Sequence, residues 1–244
     1  CARRGIMSRI FNLYGEQIKE LREKGYSARK IAMMLGVGET TVSEIIRKHG
    51  FQKAVIKMTE EQKDVLIGTI IGDGCLFTGG GINYRLNLAH SNKQKDYFMF
   101  KFEILKDIVR SKPREREWVD KRTGKTYREI RFQSKTHPIF TKFYNSFYKN
   151  GKKIINYEQI KDRGELCLAI KFFDDGSKHD NGYYIAMDDF DKESITNFQK
   201  WIIEKFNITT NLHKGNRLYI PVSQASRFKS IVEKYATDDV AHKL

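Results

Sequence analysis

The first apolar stripe of the chain has helical spacing. Ile18 and Leu21 open it, Gly25 ends it, and Ser27 stands where the next helix takes its N-cap. Ile31, Ala32 and Leu35 form the apolar face of a second helix, Gly36 permits a left-handed turn, and Val42, Ile45 and Ile46 form the face of a third. The stretch FQKAVIK at 51–57 breaks the pattern and reads as a linker, with a domain boundary near residue 57. Thr59 and Gln62 then have the spacing of a capping box, which starts a new helix through Val65, Leu66, Thr69 and Ile70 up to Asp73-Gly74. Within it Gly68 and Gly72 stand four apart, so the helix has a groove that another helix can enter closely. Leu86 and Leu88 alternate with Arg85 and Asn87 as in a half-buried strand. The pattern continues with an amphipathic helix over 95–109, a hairpin near Arg114–Asp120 and Tyr127–Gln133 turning at Thr123-Gly124, and a helix near His137–Tyr148.

The same order then returns. A helix from about Gly164 to Asp174 ends in Asp175-Gly176, followed by a strand at Tyr183–Asp188, a helix at Lys192–Phe206, strands near Thr209–His213 and Arg217–Pro221, and a helix from Ser223 to Tyr235. An early strand of this copy is less distinct. The helix ends also match: LIGTIIGDG begins at Leu66 and LAIKFFDDG at Leu168. Internal repetition of this kind means two related structural units in one chain. The predicted fold is α+β: a pseudo-twofold pair of αββαββα units, at 58–162 and 163–244, behind a small all-α module at 1–57.

Charge narrows the partner. Forty-five basic residues against 30 acidic ones leave a net +15 in 244 residues. Twelve basic and 5 acidic residues precede position 58, so both parts are basic. Such an excess draws polyanions and displaces counterions from phosphates, and double-stranded DNA is the expected partner. Twelve tyrosines and 16 phenylalanines argue against a disordered basic tail. The three cysteines, Cys1, Cys75 and Cys167, are odd in number and lack metal-ligand spacing, which fits a reducing, intracellular setting. No apolar run approaches the roughly 20 residues of a membrane span, so a soluble protein is expected, in a bacterial or phage-infected cytoplasm or an organelle.

Two resemblances emerge from these residues. Residues 15–50 resemble the helix-turn-helix of recombinases and sigma-type regulators, with Ala32, Gly36, Val42 and Ile45 at its offsets. That resemblance implies a third helix in the major groove, with Glu39, Thr40, Thr41 and Ser43 against bases and Arg47 and Lys48 near phosphates. Residues 59–244, with both DG-terminated helices, resemble the LAGLIDADG homing endonucleases in their monomeric two-motif branch. The resemblance implies that the two motif helices pack side by side at a pseudo-twofold axis. It also implies that two antiparallel sheets form a saddle over DNA and that Asp73 and Asp175 share one active site. Hydrolysis of a phosphodiester in each strand needs divalent cations, and Mg²⁺ favours carboxylates, waters and substrate oxygens. Asp73 and Asp175, with the carbonyls of Gly72 and Asp174, are the expected ligands for two or three Mg²⁺ ions, Mn²⁺ substituting. Two close carboxylates are costly without a cation or a shared proton.

The second copy departs from the pattern. Ile170, Lys171 and Phe172 stand where the family has small residues, which leaves Ala169 for close helix crossing, and register assigns the catalytic position to Asp175 with Asp174 auxiliary. The family also places a basic residue beside each acid, and Lys153 (or Lys152, in the alternate register) and Lys243 match. Outward strand positions point Arg85, Asn87, Arg131 and Gln133, with Glu129, Tyr184 and Asp188, toward DNA. The resulting expectation is a monomeric, site-specific endonuclease that breaks both strands of a long asymmetric target across the minor groove, leaves short 3′ overhangs and promotes mobility of its intron or host element. A catalytically silent regulator of the same fold and an intron RNA maturase, which would bring intron RNA in as a partner, remain alternatives. Self-splicing is not expected, since inteins end in His-Asn and this sequence ends His242-Lys243-Leu244; Met7 reads as a natural start behind residues read through from an upstream exon.

Overall fold

A computed structural model of the protein describes residues 2–51 and 56–244, with residues 2–4 as backbone only. It divides into two compact units, Cys1–Lys57 and Met58–Leu244. Most of the linker read at 51–57 lies outside the described residues.

The first unit is three helices, α1 (Ala2–Glu23), α2 (Ala28–Leu35) and α3 (Glu39–His49). Ser27 caps α2 by accepting from the Lys30 amide at 3.2 Å, and Gly36 ends it in the left-handed region at φ +65°, where a Cβ would be strained. Ile18, Ile31, Ala32, Val42 and Ile45 are buried together, so the three stripes close on one small core. Helix α1 is longer than its first sequence stripe implies. Met7, Ile10, Phe11 and Tyr14 extend the apolar face backward at helical spacing and pack on the same core.

The second unit runs α4 (Glu60–Ile71), β1 (Cys75–Thr78), β2 (Tyr84–Ser91), α5 (Lys95–Leu105), β3 (Arg114–Val119), β4 (Thr126–Gln133) and α6 (Pro138–Phe147). A short hairpin, β5 (Tyr148–Lys149) and β6 (Lys152–Lys153), and one turn of helix, α7 (Tyr157–Ile160), connect to the second copy. That copy is α8 (Glu165–Asp175), β7 (Gly176–His179), β8 (Gly182–Ala186), α9 (Lys192–Phe206), β9 (Asn211–His213), β10 (Arg217–Ile220) and α10 (Val222–Val232). The strand indistinct in sequence is β7; its residues, Gly-Ser-Lys-His, show no apolar alternation, and pairing with β8 alone makes it a strand. Both sheets are antiparallel and have the same order, β1-β2-β4-β3 and β7-β8-β10-β9.

Helices α4 and α8 pack against each other at the centre of this unit. From Asp64 to Ile71, α4 is buried at every residue, and α8 from Leu166 to Phe173 likewise, which is why neither shows a simple amphipathic stripe. Thr59 and Gln62 form the capping box that starts α4, with bonds of 3.1 and 3.2 Å. Close approach depends on the α4 glycines. A Cβ at Gly68 would lie 2.7 Å from Ile170 Cβ and 2.9 Å from the Cys167 carbonyl, and one at Gly72 would lie 2.3 Å from Asp174 Oδ2. The side chains seated in the two hollows are therefore Ile170 and Asp174; Ala169, to which sequence assigned the close crossing, is buried but is not what meets either glycine. At the opposite end Arg163 holds Asp64 and Glu60 at 3.2 and 2.8 Å and ties the starts of the two helices together. Among the described residues, no helix is long and apolar enough to cross a membrane.

Candidate active site

The acids come together where the motif helices end, by two different routes. Helix α4 stops at Ile71, and Asp73 lies beyond it on a turn closed by Gly72 and Gly74 donating to the Thr69 carbonyl. Asp175 instead belongs to the last turn of α8. Both line one cavity of about 210 Å³, with Gly72, Lys153, Lys171, Asp188 and Asp189 on its walls. Asp73, Asp175, Asp188 and Asp189 all line the cavity, and Asp73 registers the crowding. Burial of the carboxyl, followed by the charges of Asp174 and Asp175, pushes its pKa up to about 7. Its side chain is still 39% exposed, so the group is crowded by protein on one side and open on the other.

Lysines surround this acid cluster. Lys153 Nζ donates to the Gly72 carbonyl at 2.5 Å, and Lys243 Nζ to the carbonyls of Phe173 and Asp174 at 2.7 and 3.3 Å. Each copy thus has one lysine on the carbonyl that precedes its acid. Burial lowers the pKa of both ammonium groups. Lys153 reaches the site because β5 and β6 make a tight hairpin whose Asn150 and Gly151 both have positive φ; Lys152, the alternate register, points to the exposed side. Lys171, one turn before Asp175, is almost wholly buried and donates to Asp175 Oδ2 at 2.6 Å and to the Ala186 carbonyl at 3.1 Å.

Asp174 plays a different part from Asp175. Its carboxylate is fully buried, and both oxygens are occupied. Oδ1 accepts from Lys101 Nζ at 2.5 Å and from Tyr97 Oη at 2.8 Å, and Oδ2 accepts from the Asp73 main-chain N–H at 3.0 Å. His90 stands beside them, with Nε2 3.1 Å from Lys101 Nζ and Nδ1 3.5 Å from Asp73 Oδ2. Burial, with Lys101 adding to it, lowers the His90 pKa to about 4, so this imidazole is neutral at pH 7. Burial alone would raise the Asp174 carboxyl, but the charge and hydrogen bond of Lys101, with the Asp73 amide, outweigh it and hold the group ionised. Ligand atoms of Asp73, His90 and Asp174 lie within 4.8 Å of one another, which is metal-site spacing. The Lys101 ammonium already fills that side of Asp174 and would oppose a second cation there. Asp73 and Asp175, with the carbonyls of Gly72 and Asp174, form a second group of oxygens of the kind a hard divalent ion takes, and Lys171, Lys153 and Lys243 already donate to Asp175 and to the two carbonyls.

Comparison with known proteins agrees with this arrangement. Residues 63–228 match the LAGLIDADG DNA endonuclease family. The chain belongs to that family. Its relatives include the DNA endonuclease I-ChuI of Chlamydomonas applanata, 28% identical over 78% of this chain and 96% of that protein. The cytochrome b mRNA maturase bI2 of Debaryomyces hansenii is 23% identical over 64% of this chain and 61% of its own length. Among solved structures, the homing endonuclease I-WcaI bound to its DNA recognition sequence has the same fold, with a TM-score of 0.69 at 24% identity over 86% of this chain and 96% of that one.

Within the LAGLIDADG frame, the motif stretches Leu66–Gly74 and Leu168–Gly176 are the paired helix ends described above. His90, Tyr97 and Lys101 were invisible to the motif because they come from β2 and α5. The spacing of Tyr97 and Lys101 one helical turn apart puts them on one face of α5, a signal that could have marked a buried polar pair.

The sheet faces turned away from the core differ in chemistry. In the first sheet Arg85, Asn87, Arg131 and Gln133 share one face, as their alternation with Leu86, Leu88, Ile130 and Phe132 requires, and pairing adds Arg114 and Arg116 to it. Trp118 stacks on Tyr127 at that hairpin's far end, rings 5.0 Å apart. The corresponding face of the second sheet has His179, Tyr184, His213 and Tyr219 in ring contact, with Tyr184 Oη and His213 Nδ1 at 2.8 Å. In the three-helix unit Glu39, Thr40, Ser43 and Arg47 are exposed on α3, and Thr41 is half-buried.

Proposed function

We propose that this DNA endonuclease makes site-specific double-strand breaks, with Asp73 and Asp175 as the acids of one shared active site. The observation that carries the reading is the cavity at the ends of the motif helices, which both acids line and in which burial, with acid neighbours adding to it, raises the pKa of Asp73. Asp73, Asp175 and the carbonyls of Gly72 and Asp174 would hold Mg²⁺, or Mn²⁺ in its place. Such ions supply Lewis-acid polarisation of the scissile phosphate and a water acidic enough to attack it. Lys153, on the cavity wall, and Lys243, on the carbonyls of Phe173 and Asp174, would balance charge on a phosphate entering the cavity. The amino groups give up little by moving from a carbonyl to a phosphate oxygen, since both contacts are charge-assisted hydrogen bonds.

Double-stranded DNA would lie across the outward sheet faces, in a complex with a single copy of the protein. Arg85, Asn87, Arg131 and Gln133 match the donor and acceptor pattern of major-groove base edges. The N-terminal unit would act as a helix-turn-helix module, α3 entering the groove with Glu39, Thr40, Thr41 and Ser43, and Arg47 reaching phosphate. Residues 58–162 and 163–244 would then each serve one half of an asymmetric target. Homing endonucleases act at the uninterrupted locus of their host element, and that DNA is the substrate to test.

The test is cleavage of this DNA by wild-type protein, Asp73→Asn and Asp175→Asn in Mg²⁺ and in EDTA. Mg²⁺-dependent linear product that either substitution abolishes establishes the shared site. Tight binding without a nick in Mg²⁺ or Mn²⁺ would instead identify a silent regulator. Similarity to an mRNA maturase favours one additional reading, assistance to intron RNA folding, and specific binding of the host intron RNA would test it.

A further inference from the structure

The two acids share a cavity but not a means of support. Asp175 sits in the last turn of α8 and is gripped by Lys171 from the same helix at 2.6 Å. Asp73 lies two residues past the end of α4, where its main-chain N–H has no helical acceptor. The acceptor comes from the other copy: Asp174 Oδ2, at 3.0 Å. The equivalent position in the first motif is Gly72, which has no side chain to return the favour. Nor could it have one, because a Cβ there would lie 2.3 Å from Asp174 Oδ2. The brace is therefore one-sided. A fully buried carboxylate is tolerable only with a counter-charge, and the equally buried Lys101 supplies it at 2.5 Å, with Tyr97 Oη closing the remaining lone pair at 2.8 Å.

We propose that Asp174, charge-balanced by Lys101, is a positioning residue that fixes the Asp73 turn from the opposite copy and thereby governs cutting of one DNA strand more than the other. The inference rests on the proposed nuclease reading and adds to it that each acid of the shared site attends the phosphodiester on its side of the pseudo-twofold axis. Asp174 touches no substrate in this scheme and acts through the Asp73 backbone. Small displacements of a reacting group cost rate steeply, so the strand served by Asp73 is the one that suffers when the brace is lost.

The experiment uses the full chain on two substrates, a supercoiled plasmid with one target site and a linear duplex of the same site with each strand end-labelled. The main variant is Lys101→Met/Asp174→Ala, which removes the acceptor and the buried charge together. Lys101→Met/Asp174→Asn restores a neutral acceptor to the same position. Wild-type protein and both variants are also followed by amide hydrogen exchange at Asp73 in EDTA, a readout independent of cleavage. The Ala variant is expected to change the ratio of the two strand rates by about 10- to 100-fold, with nicked plasmid accumulating. Its Asp73 amide should exchange at least about tenfold faster than in wild type while the Ile67 amide inside α4 does not change, and the Asn variant should recover both properties. An equal slowing of the two strands, or an Asp73 amide that keeps its protection in the Ala variant, overturns the proposal. Should the Ala variant unfold, the Asn variant decides: a strand ratio and Asp73 protection like wild type support the brace, and their loss in a folded protein that retains the acceptor refutes it. If the wild-type protein cuts neither strand, the nuclease reading fails, and the exchange measurement still tells whether Asp174 holds the Asp73 turn.

Discussion

A carboxyl with a pKa of about 7 makes Asp73 the most pH-sensitive group of the site. A cation must displace its proton, so Mg²⁺ affinity should fall by about tenfold per pH unit below 7, measurable by titration calorimetry between pH 5.5 and 8. Stability moves in a definite direction as well. The folded pKa lies above the ordinary carboxylate value, so this group favours the folded state fully below about pH 4, and that contribution is lost as pH rises through about 7. In EDTA, Asp73→Asn is therefore expected to raise the melting temperature at pH 8 and to leave it nearly unchanged at pH 4. At this scale the sequence foretold that Asp73 and Asp175 come together, because a motif that ends a helix also places the residues at that end; Lys153 and Lys243, outside both motifs, were matched by resemblance alone and sit on the carbonyls of Gly72 and of Phe173 and Asp174. The sequence was blind to Lys101, whose partner Asp174 is 73 residues away in the other copy. No local pattern announces a lysine that will be buried by a helix from a different repeat.

The α4–α8 pair shows what an element can and cannot reveal by itself. The glycines of α4 declared a close crossing, and Gly68 and Gly72 are indeed its floor. Which side chains fill that floor depended on α8, where Ile170 and Asp174 are large and Ala169 is small, so residue size on one helix was a poor predictor of contact. Gly68→Ala is expected to destabilise the protein by about 1–3 kcal/mol in urea denaturation, since its new methyl would meet Ile170 Cβ at 2.7 Å and the Cys167 carbonyl at 2.9 Å inside a core with no slack. The β3–β4 hairpin and the strands β9 and β10 were legible in the sequence, while β7, the short β5–β6 hairpin and the pairing of β2 with β4 across α5 were not; the last is a long-range contact fixed by Leu88 and Phe132 facing the same core.

For the molecule as a whole, +15 of charge over two compact units implies that binding is strongly salt-dependent. A protein shortened to residues 58–244 is expected to cut at an unaltered rate when DNA is saturating, to bind its target about 10- to 100-fold more weakly, and to lose affinity less steeply with added salt. Competition binding at several KCl concentrations checks this; equal affinity of the short and full chains would remove the first unit from the DNA contact. The two sheets raise a separate matter. One presents arginine, asparagine and glutamine, the other a ring cluster of histidine and tyrosine, on scaffolds of identical strand order. A molecule built this way has a heading. With DNA on these faces, as proposed, it would settle on a duplex facing one way only, and after the break the upstream and downstream ends would be in the grip of chemically different hands, released separately to whatever joins them.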